Sequence, residues 1–235
     1  MAGDKERTEM IVVASTVAAY KCNGAEELSW LANAEAMMAD YPELHFFCAI
    51  QVGQGRDNAF GPLRRRLSEL PSTVWTFAID DGAREISSSN RLLYIATGRN
   101  LAIEFGMRTR ATHILFLDTD LTPPGDCLSK LLAVDHPIVG GTVPHYGLRG
   151  QAVEGYPFPV EEHWNTAGFL LVRREVFRRV RWRTDPDAGM SDDPCYAADA
   201  EQLGFGKTRV RKDVIGLHPP LMPLEKRGQN LHIQQ

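Results

Sequence analysis

Asp118, Thr119 and Asp120 are the residues of this chain whose types and spacing most directly suggest chemistry. In an extended segment, residues two apart project to the same side. The two carboxylates therefore converge just past the apolar run His113-Ile114-Leu115-Phe116-Leu117. Carboxylate oxygens are hard donors that select Mg2+ or Mn2+, cations that keep positions open for substrate phosphate oxygens. A cation held there acts as a Lewis acid on a departing diphosphate. The same two residues also suit the capping of a following helix, since Thr122-Pro123-Pro124 come next.

Two carboxylates at the end of a strand need a rigid sheet behind them. Short apolar runs at 10–15 (MIVVAS), 44–52 (LHFFCAIQV), 73–79 (TVWTFAI) and 113–117 read as buried strands. Helical spacing at 24–40, 62–70 and 91–108 fills the gaps, the last helix being kinked or begun late around Gly98. Strands alternating with helices at these intervals predict an α/β fold with a mostly parallel central sheet flanked by helices, Rossmann-like in its front half. Ligands of such sheets bind beyond the carboxyl ends of the strands, where Asp118 and Asp120 fall.

Past residue 120 the pattern predicts a helix over 123–134 with proline in its first turn and a strand over 137–143. Residues 144–164 are rich in Gly, Pro and aromatics and read as a long functional loop, in which Tyr146, Tyr156 and Trp164 either stack on a ligand or anchor the loop. A strand at 168–172, helices at 175–180 and 194–204, and a strand at 207–215 complete a single domain over 1–220. Residues 221–235 read as a tail.

Hydrophobic residues make up 43% and charged residues 24% of the 235, which excludes a mainly disordered chain. A net charge of -4 gives no general reason to expect nucleic acid. Basic residues nevertheless cluster at 64–66, 173–183 and 209–212, either as solvated faces or as contacts to an anionic ligand. Cys22, Cys48, Cys127 and Cys195 form no CxxC pair, so neither zinc nor a disulfide framework is expected. Reduced thiols, a polar start at 1–9 and the lack of a long apolar run predict a soluble, cytoplasmic protein.

Several segments taken in order resemble a family. Thr97-Gly98-Arg99-Asn100-Leu101-Ala102, followed by the strand ending at Asp118-Thr119-Asp120, looks like the donor half of GT-A fold glycosyltransferases, especially the family-2-like group. Residues 166–177 (TAGFLLVRREVF) resemble the small-residue strand and helix that border the donor sugar in those enzymes. Ser191-Asp192-Asp193, with Leu203-Gly204-Phe205 at helical spacing, resembles their Glu-Asp motif, and Val214-Ile215-Gly216-Leu217-His218 resembles their terminal strand. The motifs cover roughly residues 10 to 220. The chain departs from the family in ending its first strand with Ser15-Thr16, in having Asp192 for the Glu, and in placing Asp80-Asp81-Gly82 after the third strand rather than the second.

The resemblance implies a glycosyltransferase that moves a sugar from a nucleotide-sugar, UDP- or GDP-linked, to an acceptor hydroxyl with Mn2+ or Mg2+ as cofactor. It divides the chain into a donor half at 10–120 and an acceptor half at 121–220. It implies Asp118, Asp120 and His218 as metal ligands, and Ser15, Thr16, Arg91, Arg99, Asp118 and Thr119 as donor contacts. An Arg fork at 91 or 99 suits phosphate oxygens. Asp193 is the implied general base of an inverting transfer, with Asp192 as the alternative. Asp193 before Pro194 also fits a helix N-cap.

Two other classes fit parts of the pattern. Asp118-Thr119-Asp120-Leu121-Thr122 matches the nucleophile loop of haloacid-dehalogenase phosphatases, although that loop normally ends the first strand of its fold. A non-catalytic nucleotide-sugar binding module would keep the metal site without the base. The acceptor is a small molecule, a glycan or, given the arginine clusters, modified DNA.

Overall fold

A computed structural model describes residues 10–17, 34–41, 44–52, 65, 68–69, 73–80, 88–118, 121–144, 150–163 and 168–217. Thr119, Asp120, Tyr146, Trp164, His218 and the tail lie outside them, as do the side chains of Thr16 and Arg91.

The strands of the front half are β1 (Ile11–Val17), β2 (Leu44–Val52), β3 (Thr73–Asp80) and β4 (His113–Leu117), and the pairings among them are parallel. The back half adds β5 (Ile138–Thr142), β6 (Gln151–Ala152), β7 (Val160–His163), β8 (Phe169–Arg173) and β9 (Thr208–Ile215). Among the described residues they form one sheet, in the order β3-β2-β1-β4-β8-β5-β9-β7-β6.

The expected mostly parallel sheet holds for the front half, whereas in the described back half only β5 and β9 pair in parallel. β8 runs antiparallel to both β4 and β5, and β7 runs antiparallel to β6 and β9, so the fold is mixed α/β. The expected long loop at 144–164 is likewise corrected in part, because it contains the β6–β7 hairpin that extends the sheet edge.

Alternating side chains send the sheet's apolar residues to two cores. Ile11, Val13, Leu115, Leu117, Phe169 and Leu171 meet α1 (Ala34–Asp40) and α3 (Cys127–Leu132) through Met37, Leu128 and Leu131. Val12, Ala14, Ile114, Phe116, Leu170 and Val172 face α2 (Ser88–Thr109), α4 (Arg174–Phe177) and α5 (Asp192–Gln202). β4 is buried along its whole length because it lies between β1 and β8 with both faces covered.

α2 sets the position of the later site. It begins at Ser88 and is continuous through Gly98, so it does not begin late there. Gly106 lets it approach β4 closely, since a Cβ at that position would lie 2.8 Å from Ile114 Cδ1. Its C-terminus closes with Arg110 at φ 62° and the Ala111 N–H bonded to Gly106 O. Arg174 donates to the carbonyls of Gly106, Met107 and Ala111, tying α4 to the C-terminal end of α2.

α3 starts at Cys127 rather than at Pro123. Thr122 precedes a proline, which favours extended backbone, and it forms an isolated antiparallel bridge with Leu217. No described helix is long and apolar enough to cross a membrane.

Candidate active site

The bond from Asp118 N–H to Gly168 O extends the β4–β8 ladder one residue beyond Leu117. The Asp118 side chain thus leaves the carboxyl end of a fully buried strand, and it is 38% exposed. A Cβ on Gly168 would come within 2.6 Å of Asp118 Oδ2, so a glycine is what leaves that carboxylate its room. Ser15, an expected donor contact, is buried and donates its hydroxyl to Leu117 O at 2.7 Å. It ties β1 to the residue that precedes Asp118.

α5 brings the other carboxylates. Its N-cap is Ser191, so Asp192 and Asp193 occupy the first turn and Asp193 is not the cap. Helix N-termini favour negative charge there. Asp192 is almost wholly buried, whereas the Asp193 side chain is 28% exposed. Asp193 also lines a crevice beside α5 together with Ala197, Glu201, Lys207 and Thr208.

Arg99, from the middle of α2, joins the two elements. Its Nη1 donates to Asp192 Oδ2 at 2.6 Å and to Asp193 Oδ1 at 2.7 Å, while Nη2 donates to Asp118 Oδ1 at 3.2 Å. Burial alone would weaken the charge on Arg99, but Asp193, Asp118 and Asp192 outweigh it and hold its pKa above the ordinary value. Burial pushes Asp192 up to about 6, against the pull of Arg99 and with repulsion from Asp193 adding to the rise. Three carboxylates around one guanidinium leave a net negative site at the carboxyl end of β4.

The residues beneath Arg99 were not anticipated from the sequence. Its Cζ lies 4.5 Å from the ring centroid of Trp182, which stacks on Tyr196 at 3.9 Å and 13° and meets Phe116 edge-on at 5.1 Å. Asn100, next to Arg99, exchanges two hydrogen bonds with the Trp182 backbone. The only sequence signal for this floor is Tyr196 lying one helical turn after Asp192.

The described basic clusters are largely engaged within the chain. Arg173 pairs with Asp135, Arg181 with Glu104, Arg183 with Asp199, Arg209 with Glu162, Arg211 with Asp213 and Lys212 with Glu161. Tyr156 packs against Phe158 at 5.5 Å and the core, so it anchors its hairpin. Among the described residues, no group of three His, Cys, Asp or Glu side chains is arranged to hold a metal ion.

The expected ligands Asp120 and His218 lie outside the described residues, but the backbone beside them does not. Thr122 N–H donates to Leu217 O at 2.9 Å and Leu217 N–H to Thr122 O at 3.0 Å. The chain two residues after Asp120 is therefore bound to the residue immediately before His218.

No protein-family model and no curated protein sequence matches the chain. Solved structures do. A mannosyltransferase from Pyrobaculum calidifontis, in complex with GDP-Man and Mn2+, has a TM-score of 0.61 at 14% identity over 97% of this chain. The chain spans only 62% of that protein's length. The inositol-1-phosphate CTP transferase from T. maritima has a TM-score of 0.50 at 9% identity, over 94% of each chain. A nucleoside-diphosphate-sugar pyrophosphorylase from Vibrio cholerae also has a TM-score of 0.50, at 10% identity over 86% of this chain and 91% of its own. At these identities the likeness is one of fold, and this chain has the mixed α/β fold that those transferases share.

Proposed function

We propose that the chain is a divalent-metal-dependent glycosyltransferase that moves a sugar from a nucleoside-diphosphate donor, GDP- or UDP-linked, to an acceptor hydroxyl. The observation that carries this reading is the gathering of Asp118, Asp192 and Asp193 around Arg99 at the carboxyl end of β4. The strand order β3-β2-β1-β4-β8-β5-β9, with β8 antiparallel in its middle, supports a GT-A type arrangement, as does the likeness to a mannosyltransferase bound to GDP-Man and Mn2+.

The donor chemistry at the strand end fits a hard cation. Asp118 offers partly exposed carboxylate oxygens, and the bridge joins Thr122 to Leu217, residues close in sequence to Asp120 and His218. These three residues would hold Mn2+ or Mg2+, which supplies charge neutralisation for the leaving diphosphate. Thr16, Thr119 and Arg91 remain the proposed donor contacts. Arg99 acts one step back, orienting carboxylates on both halves of the site.

Asp193 accepts the acceptor proton. Its Oδ1 is held by Arg99, and its partial exposure on the crevice beside α5 leaves it reachable by a hydroxyl. As the proton moves to Asp193, the acceptor oxygen bonds to the anomeric carbon. The bond from that carbon to the diphosphate oxygen breaks on the opposite side, and its electron pair leaves with the diphosphate. Asp192 is almost wholly buried and so out of reach of an acceptor hydroxyl, which suits it to support of this geometry rather than to proton abstraction.

The reading is tested by incubating the protein and Mn2+ with a panel of UDP- and GDP-sugars, and following nucleoside diphosphate release. Release from at least one donor is expected. Release of inorganic phosphate from simple phosphate esters, with none from any nucleotide-sugar, would replace the reading with a phosphatase.

A further inference from the structure

We propose that Trp182 is a positioning residue for the transfer reaction, acting through Arg99; this rests on the glycosyltransferase reading given above. The hydrogen bonds of a guanidinium lie in its plane. Three hydrogen bonds hold Arg99 to Asp118, Asp192 and Asp193 through its Nη atoms. The Trp182 ring beneath Cζ adds a contact that the carboxylates do not make, and its face attracts the cation.

The ring is itself fixed to α2, which carries Arg99, and to α5, which carries two of its carboxylate partners. Asn100 on α2 holds the Trp182 backbone through two hydrogen bonds, of 2.8 and 2.9 Å. Tyr196 on α5 stacks on the ring, one turn beyond the Asp192–Asp193 pair. Contacts thus run in a closed circuit from Arg99 to the α5 carboxylates, along α5 to Tyr196, across to Trp182, and back to Arg99. Trp182 Nε1 is buried without a hydrogen-bond partner among the described residues. The side chain is therefore used for its aromatic face rather than as a donor, and another aromatic ring can replace it.

The test compares Trp182→Phe, which keeps a face, with Trp182→Leu, which keeps apolar bulk without one. With the donor found in the panel, Trp182→Leu is expected to lower kcat by about 10-fold or more, because small misplacements of catalytic groups cost that much. Its donor KM is expected to stay within about 3-fold, and Trp182→Phe to stay within about 3-fold in both constants. Equal kcat in the Phe and Leu variants would overturn the proposal.

A second readout needs no substrate, so it still decides the question if no donor is turned over and the reading of function itself fails. Nitrogen-15 NMR of the wild-type protein should show resolved, slowly exchanging Arg99 Nη protons. Exchange should accelerate about 10-fold in the Leu variant and little in the Phe variant. Averaged, fast-exchanging Arg99 signals in the wild type would overturn the proposal even if the Leu variant does not fold.

Discussion

Thr122 and Leu217 face each other across two backbone hydrogen bonds, 2.9 and 3.0 Å long, although they are far apart in sequence. This bridge ties the exit from the Asp118 strand to the end of β9. Leu217 is 60% exposed, so its side chain adds little to the core. Leu217→Pro removes one donor of the pair and should cost about 1 kcal/mol of stability. Manganese-dependent nucleotide affinity should fall roughly 10-fold as the segment carrying His218 comes loose. Titration calorimetry with Mn2+ and GDP or UDP reads this directly, and unchanged affinity would remove His218 from the metal site.

Gly168 offers a second way to disturb the same centre without touching a carboxylate. An alanine there brings its methyl carbon to 2.6 Å from Asp118 Oδ2, inside van der Waals contact. The carboxylate must swing aside, and metal-dependent nucleotide binding should weaken roughly 10–100-fold. The melting temperature should change little, because the displaced group is the mobile end of a partly exposed side chain. Large unfolding with intact binding would contradict this account of Gly168.

Asp192 predicts a pH signature. Burial raises its pKa from 3.8 to about 6, so between those values the folded protein binds a proton that the unfolded chain has already released. Its contribution to stability therefore falls as pH rises through that window and is level above it. Asp192→Asn abolishes the titration. The stability of the variant relative to wild type should rise from pH 4 to pH 6 and then stay constant, as followed by urea unfolding. A difference independent of pH would mean that Asp192 is not raised.

Asp193→Asn separates catalysis from folding. Because Ser191 occupies the cap position, the substitution leaves the helix start intact. The rate of transfer should drop by roughly 10²–10⁴ while donor affinity changes little, the pattern of a group that acts in the transition state. Steady-state kinetics together with calorimetry on one preparation makes the comparison. Full activity would move the base elsewhere.

The parts of this site written in local sequence were legible there. The apolar run before Asp118 marks a buried strand, and Ser191-Asp192-Asp193 marks a helix start by its composition. The direction of β8 was not legible, because a strand buried on both faces has the same apolar pattern in parallel and antiparallel pairings. The β6–β7 hairpin is short and rich in charge, so it lacks the alternation that reveals a strand. Arg99 read as a helix arginine suited to phosphate, since its partners lie 19, 93 and 94 residues away. Trp182, within a run of arginines, gave no sign that its ring would lie under one of them.

The central claim is a metal-dependent nucleoside-diphosphate site at the end of β4, and titration calorimetry tests it most directly. GDP and UDP are titrated into the protein with Mn2+, and again with chelator in excess. The account predicts measurable binding of at least one nucleotide with Mn2+, loss of that binding in chelator, and recovery when Mn2+ is restored. Tight binding that survives the chelator would contradict the account, as would undiminished metal-dependent binding by Asp118→Ala and Asp120→Ala together.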